Sequence, residues 1–168
     1  MTQDEHKQVG SKYYMLKRDY LFDRDEDDEL HLLIQNHIYH RKLCGAKDIS
    51  PIKNDLGRLM RKMGRYEESL KIFQENLTYK ITTNNSKNIN VCHSNLGKTY
   101  WLMKDVEKAY RHAQKAYEHA QNRSFVRGKI EALTLIVKCK ESRNEDFSSE
   151  WGELEHLQKS HGIEAQVH

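Results

Sequence analysis

The sequence is poor in residues that interrupt helices. Its 168 residues include one proline and eight glycines, while Leu, Lys, Glu, Ala and Gln, which favour helix, fill the middle of the chain. No stretch shows the sustained alternation of apolar and polar residues that is typical of strands. The sequence therefore predicts an all-α fold. With 37% hydrophobic and 32% charged residues, its core is expected to consist of narrow apolar stripes.

The sequence also has few cysteines and no long apolar run. Cys44, Cys92 and Cys139 lack C-x-x-C spacing, which favours reduced thiols over a disulfide framework. No segment approaches the ~18 consecutive apolar residues of a membrane-spanning helix, and the polar start Met1–Lys7 is unlike a secretory leader. We therefore expect a cytoplasmic or nuclear protein that does not associate with membranes.

Catalytic and metal-binding motifs are missing as well. The chain has no G-x-S-x-G, Walker glycine loop, H-E-x-x-H or G-x-G-x-x-G. His37, His40 and Cys44 share one face of a predicted helix and could supply three zinc ligands, but without an obvious fourth they are interpreted as packing and surface residues. The acidic run Asp23–Glu29 alternates aspartates like a calcium loop but lacks the central glycine, so it is interpreted as a helix start. We predict that the protein is not an enzyme and uses no metal or cofactor.

The chain does contain an internal repeat of forty residues. DLGRLM and GRYEES within residues 55–69 match NLGKTY and KDVEKA within residues 95–109. A fixed period of this length indicates stacked helical hairpins. In each copy a Leu-Gly pair lies in the first helix, where Gly57 or Gly97 is expected to let two helices cross closely. The pattern resembles the tetratricopeptide (TPR) repeat, which implies an all-α helical-hairpin solenoid that binds other proteins.

The repeat predicts how the whole chain is organised. We expect a single domain, 1–168, of about eight antiparallel helices. Its hairpins are an amino-terminal hairpin at 11–45, TPR repeats at 50–83 and 88–123, and a degenerate capping repeat at 126–161.

Local signals place the helix ends within this organisation. Ser50-Pro51 is interpreted as an N-cap followed by a first-turn proline, and Gly64 as a helix end. The return helix of the second repeat carries small residues in an i, i+4, i+7, i+11 row, which permits a neighbouring helix to approach closely. The members of this row are Ala109, Ala113, Ala116 and Ala120.

The resemblance to TPR repeats also implies a partner-binding groove. The first helix of each hairpin lines the concave face of such an array, chiefly at the fifth, ninth and twelfth repeat positions. These positions hold Asn54, Arg58, Arg61, Ser94, Lys98, Trp101, Thr134, Lys138 and Glu141. Such a groove would be basic with an exposed tryptophan, and it would suit an extended or helical partner segment with acidic side chains. The alternative interpretation is a solvated lysine and arginine face with a core tryptophan.

A narrower version of this groove is the carboxylate clamp of chaperone-binding TPR domains. Asn95 and Lys98 could belong to such a clamp, but the Lys-x-x-x-Asn start of the first repeat is absent from Ile52–Asp55. The predicted partner-binding residues are Asn54, Arg58, Arg61, Asn95, Lys98, Trp101 and Lys138.

A closer family resemblance lies in and around the repeat. The segments that carry it are Gly57-Arg58, Gly64-Arg65-Tyr66, IFQENL at 72–77, ITT at 81–83, HSNLGKTY at 93–100, and residues 109–121 and 162–166. Over residues 50–166 the chain resembles the carboxy-terminal TPR block of the outer dynein arm docking complex TPR subunit. This resemblance implies a cytoplasmic or axonemal adaptor that helps attach outer dynein arms to the doublet microtubules of motile cilia, with docking-complex subunits as partners and no catalysis of its own.

Other binding functions stay open at the level of sequence. One is a general cytosolic TPR adaptor or co-chaperone that binds an acidic peptide. Another is a helical repeat that binds RNA or another polyanion, which a net charge of +3 supports only weakly. The oligomeric state is open too, because Tyr13, Tyr14 and Tyr20 of the predicted first helix could pack on a second copy or on a partner.

Overall fold

A computed structural model of the protein describes residues 27–85 and 88–162, together with residue 8. The regular elements in this part of the chain are seven α-helices: α1 (Asp27–Leu43), α2 (Ser50–Lys62), α3 (Tyr66–Thr82), α4 (Ile89–Leu102), α5 (Val106–Gln121), α6 (Val126–Ser142) and α7 (Ser148–His161). The predicted all-α fold is confirmed. The expected first helix, around residues 11–22, and the first aspartates of the acidic run lie outside the described residues.

The turns between helices repeat with the period found in the sequence. Gly64, Lys104 and Asn144 follow α2, α4 and α6 at intervals of forty residues, and each has a positive φ between 55° and 74°. In each turn the left-handed residue donates its N–H to the carbonyl three residues back, and the next residue donates to the carbonyl five residues back. Asn84 and Ser124, also forty residues apart, close α3 and α5 in the same way. The backbone turns therefore recur with the same forty-residue period as the sequence motifs.

The helix starts differ in one detail from the expectation. α2 begins at Ser50 as predicted, but the capping oxygen comes from Asp48, which accepts from Ser50 N at 2.9 Å and from Ser50 Oγ at 2.6 Å. The prediction of Ser50 as N-cap was wrong because an Asp two residues upstream is the stronger acceptor. Asp146 binds Ser148 N and Oγ in the same geometry at the start of α7.

The described residues form two compact units, divided between Asn76 and Leu77 within α3. Each unit is described separately below. The single-domain organisation stays a prediction. None of the helices in the described ranges has the length and hydropathy needed to cross a bilayer.

The first unit contains α1, α2 and most of α3. Its core is made of Leu30, Ile34, Ile52, Leu59 and Met60, with the partly buried Leu33, Ile38, Leu56, Met63 and Ile72 packed against them. A Cβ on Gly57 would lie 2.6 Å from Phe73 Cε1, which no real packing allows. Ser69 Oγ also donates to Gly57 O at 2.8 Å across the same crossing. Gly57 is therefore a packing glycine, as predicted.

The second unit stacks α4, α5, α6 and α7 in order, with α4 also against α6. The four alanines of α5 are completely buried, and Ala109 and Ala113 pack against Leu135, Ile136 and Cys139 of α6. A Cβ on Gly97 would lie 2.9 Å from Leu135 Cδ2 and 3.2 Å from Ala109 O. The prediction that small residues allow close helix approach here is confirmed. α6 and α7 close the unit through Ile130, Leu133 and Leu154.

Candidate protein-interaction surfaces

In the first unit, the predicted partner-binding residues differ in accessibility. Asn54 accepts from Asn76 Nδ2 at 3.0 Å, so its amide links α2 to α3. The guanidinium of Arg61 lies over the Phe73 ring at 5.8 Å. Arg58 is exposed on the surface of α2. Of the three, Arg58 is the one most able to contact a partner without breaking an internal contact.

The first unit also neutralises many of its own cations. Lys53 Nζ binds Glu75 at 2.8 Å, and this hydrogen bond lowers the pKa of Glu75. Lys62 and Arg65 bind Asp27 and Glu68 respectively, at 2.7 and 2.6 Å. Two of the cations of α2, Lys53 and Lys62, are therefore compensated by acids of α3 and α1.

In the second unit, α4 and α6 lie side by side and form one polar surface. Lys98 Nζ of α4 donates to Glu131 Oε2 of α6 at 3.0 Å, and Arg127 Nε lies 3.6 Å from the other oxygen of the same carboxylate. Lys98 and Lys138 occupy equivalent repeat positions and are both half-exposed. We call the surface formed by Lys98, Trp101, Arg127, Glu131 and Lys138 the α4–α6 face.

The predicted groove residues of the second unit differ in their accessibility on the α4–α6 face. Trp101 is half-buried against Ala109, Ala113 and the α6 side chains that they contact, so only part of its ring is available. Asn95 is 6% exposed, which makes its amide a poor candidate for direct partner contact. Thr134 donates to Ile130 O at 2.8 Å within its own helix. The accessible charged groups are the two lysines, Arg127 and Glu131.

Glu131 is a site residue that sequence reasoning missed. Its pairing with Arg127 at i, i+4 is visible in the sequence. Its contact with Lys98 requires the relative placement of α4 and α6, which the repeat period alone does not give. This carboxylate makes the α4–α6 face less basic than the predicted groove and leaves Lys98 with an internal partner.

A cluster of histidines lies in the seam between α4 and α5. His93 Nδ1 is 2.9 Å from His112 Nδ1, so one ring donates a hydrogen bond to the other. The His119 ring stacks on His93 at 5.8 Å, and the Tyr100 ring stacks on His112 at 5.5 Å. Burial, reinforced by His112, His119 and Lys115, lowers the pKa of His93 to about 4. Burial also lowers the pKa of His112, so the seam is built around the neutral rings of His93 and His112.

The described part of the chain offers no arrangement for metal or redox chemistry. No group of three or more His, Cys, Asp or Glu residues in these ranges is arranged to hold a metal ion. Of the residues considered as zinc ligands from the sequence, His37 is buried whereas Cys44 is exposed. Burial raises the pKa of both Cys92 and Cys139 to about 11, which keeps these free thiols protonated and unreactive.

The single cavity of note in the described ranges is small. It has a volume of about 220 Å³ and is lined by His37, Arg41, Asp48, Pro51 and Ile52. Small-molecule sites usually enclose roughly 300–1,000 Å³. The surface of the described helices is therefore a better candidate for function than this cavity.

Comparisons with known proteins agree with the fold. The tetratricopeptide repeat family matches residues 48–122. The solved structure described as BtubC (BKLC) from P. vanneervenii is similar with a TM-score of 0.72 and 14% sequence identity, covering 98% of this chain and 77% of that one. No curated protein is detectably similar to the chain in sequence. These findings support the TPR superfamily and confirm a TPR-like helical-hairpin solenoid as the fold class. They carry no information on the narrower resemblance to a dynein-arm docking subunit.

Proposed function

We propose that this protein is a non-catalytic adaptor whose α4–α6 face binds an acidic segment of a partner protein. TPR repeats in general bind protein partners and serve as scaffolds, and residues 48–122 match that family. The observation that carries the proposal is the placement of Lys98 and Lys138 on two adjacent first helices, both half-exposed. Two cations held on packed helices present a fixed spacing to an incoming chain.

The chemistry of binding follows from the contacts on this face. A partner carboxylate that approaches Lys98 meets an ammonium group already bonded to Glu131, so it either replaces that carboxylate or binds beside it. Charge-assisted hydrogen bonds to Lys98, Arg127 and Lys138 then supply most of the specificity for acidic side chains. The open edge of Trp101 adds an apolar contact of the kind that dominates many interfaces.

A salt series separates this proposal from binding of a polyanion. We would titrate the protein with a labelled Asp- and Glu-rich peptide, with the same peptide carrying Asn and Gln, and with a single-stranded RNA. The proposal predicts that the acidic peptide stays preferred over the neutral one at about 0.3 M salt, where exposed charges are strongly screened. Binding of the RNA in preference to the peptide, with affinity that falls steeply with salt, would instead identify a polyanion-binding protein.

We further propose that the adaptor acts in the docking of outer dynein arms in motile cilia. The support is the resemblance carried by IFQENL at 72–77, ITT at 81–83 and HSNLGKTY at 93–100. The test is affinity purification of the tagged protein from ciliated cells, followed by mass spectrometry. Recovery of axonemal docking proteins supports the proposal, and recovery of chaperones or ribonucleoproteins in their place contradicts it.

Matched variants show which surface such partners use. Arg58→Glu with Arg61→Glu alters the first unit, Lys98→Glu with Lys138→Glu alters the α4–α6 face, and Lys115→Glu with Lys159→Glu changes exposed charges on α5 and α7. The proposal predicts that the α4–α6 variant loses the docking proteins whereas the control retains them. Loss with the first-unit variant alone would place the interface on α2 instead.

A further inference from the structure

An exposed apolar stripe runs along α1. Leu32, Tyr39 and Leu43 are 60%, 58% and 62% exposed, and they lie at i, i+7 and i+11, which places them on one face of the helix. The opposite face packs Leu30 and Ile34 into the first unit. Three of the largest apolar exposures in the described residues therefore fall on a single helix face. Exposed apolar residues grouped on one helix face are candidates for an interface, although the exposed Asn36 separates Leu32 from Tyr39 on this face.

The charges of α1 are divided between its two ends. Asp27, Asp28 and Glu29 lie in the first turn, and His40, Arg41 and Lys42 in the last. Asp27 is bonded to Lys62 within the unit. The exposed acids at the start of the stripe are therefore Asp28 and Glu29, and the exposed base beside its end is Lys42. Arg41 lies on the opposite side of α1, where it lines the cavity with Pro51 and Ile52.

We propose that two copies of the protein associate through α1, with the two helices packed antiparallel across the Leu32, Tyr39 and Leu43 stripe. This interface is independent of the partner-binding function proposed above. An antiparallel pair is self-complementary, because the acidic first turn of each copy meets the basic last turn of the other. A parallel pair would instead place like charges together at both ends.

The size of the contact determines how strong the association is. α1 has 17 residues and is about 25 Å long, so a pair of these helices buries less than the roughly 1,200–2,000 Å² of standard stable interfaces. We therefore expect a reversible dimer with a dissociation constant of about 1–100 µM, visible in concentrated solution and lost on dilution. Its affinity should fall with salt because the ends of the helices contribute charge pairs.

Sedimentation equilibrium over a concentration series tests the apolar part of the proposal. The native protein should shift from monomer to dimer, and Leu32→Ser with Tyr39→Ser should weaken the association by about tenfold or more. Ile81→Ser is the matched control, because Ile81 is 61% exposed on α3 and lies outside the stripe. A native protein that stays monomeric at every concentration would overturn the proposal, as would a dimer that the Leu32 and Tyr39 changes leave intact.

Charge reversal tests the orientation. One variant carries Asp28→Lys and Glu29→Lys, and the other carries Lys42→Glu, with circular dichroism to confirm that each keeps its helix content. Each variant alone brings like charges together and should be monomeric. An equimolar mixture should dimerise, because every reversed end then faces an opposite charge on the other copy. A mixture that remains monomeric while the native protein dimerises would overturn the antiparallel arrangement.

Discussion

Lys98 Nζ lies 3.0 Å from Glu131 Oε2, so a cation that the repeat pattern assigns to partner binding is held by a carboxylate of the next hairpin. Glu131→Gln keeps the shape of the side chain but removes the competing charge. We expect an acidic peptide to bind this variant several-fold more tightly, because the peptide carboxylate no longer has to displace the Glu131 carboxylate from Lys98. Fluorescence anisotropy measures the change.

The same substitution should hardly affect folding. Both side chains of the Lys98–Glu131 pair are about two-fifths exposed, and exposed pairs contribute about 0–1 kcal/mol. A urea denaturation curve that moves by more than this would mean that Glu131 is chiefly a structural residue. Unchanged or weaker peptide binding would contradict the competition between the two carboxylates.

Gly97 is predicted to be intolerant of any side chain. A Cβ there meets Leu135 and the backbone of Ala109, so Gly97→Ala should lower the free energy of unfolding by about 1–3 kcal/mol. Gly97→Leu should cost more, since it would separate α4 from α5 and α6. Gly152→Ala is the control, because its Cβ would point into open space on α7 and should stabilise by about 0.5–1 kcal/mol. Equal melting temperatures for Gly97→Ala and the native protein would contradict the close contact of Gly97 with Leu135 and Ala109.

Acidification should destabilise the second unit through His93. Burial holds the folded-state pKa of His93 at about 4, below the ordinary value of 6.5, so the unfolded chain takes up a proton first as the pH falls. The stabilising contribution of the neutral ring is thus complete above pH 6.5 and is lost as the pH falls towards 4. Between pH 7 and pH 5 the loss should be about 2 kcal/mol.

Urea denaturation at the two pH values checks this prediction. His93→Gln should reduce the pH dependence, although it also removes the hydrogen bond to His112. His156→Gln, at an exposed position on α7, should leave the pH dependence unchanged. If His93→Gln retains the full native pH dependence, other groups must be responsible for acid sensitivity.

Tyr117 should contribute to the attachment of the last hairpin. Its hydroxyl donates to both oxygens of Glu153, at 2.7 and 2.9 Å, and burial together with this carboxylate raises its pKa to about 12. Tyr117→Phe removes a hydrogen bond to a charged group and should cost about 1–2 kcal/mol. In an alkaline ultraviolet titration, this variant should lose a tyrosine ionisation near pH 12.

Tyr110→Phe provides the comparison for that variant. The Tyr110 ring lies under the Arg143 guanidinium at 4.1 Å, a contact that phenylalanine keeps. We expect its unfolding free energy to stay within about 0.5 kcal/mol of the native value. If both tyrosine variants lose the same free energy of unfolding, the loss in Tyr117→Phe does not come from its hydrogen bond to Glu153.

The fold could be predicted from the sequence because short-range signals and the repeat agree. Gly57 and Gly97 had to be packing glycines once the Leu-Gly pairs recurred at forty residues, and the contacts with Phe73 and Leu135 confirm it. Gly64 was recognisable as a helix end by its residue type. The equivalent turns at Lys104 and Asn144 carry no glycine, so the period alone located them.

The repeat pattern could not predict the balance of positive and negative charge on the α4–α6 face. Lys98 and Lys138 are visible from the repeat register, but Glu131 meets Lys98 only through the packing of α6 on α4. Asn95 illustrates the opposite difficulty, since a polar residue near a groove position turns inward and is buried. Helical periodicity gives the face of a helix, whereas the partner of a long charged side chain depends on the neighbouring helix.

The most direct test of the account is a calorimetric titration of the acidic peptide into three proteins. These are the native chain, the Lys98→Glu, Lys138→Glu variant and the Lys115→Glu, Lys159→Glu control, which changes the net charge equally on exposed positions of α5 and α7. The account predicts that the α4–α6 variant binds at least about tenfold more weakly, a change of about 1.4 kcal/mol, while the control binds like the native chain. Equal weakening in both variants would contradict a specific binding face and leave only attraction by net charge.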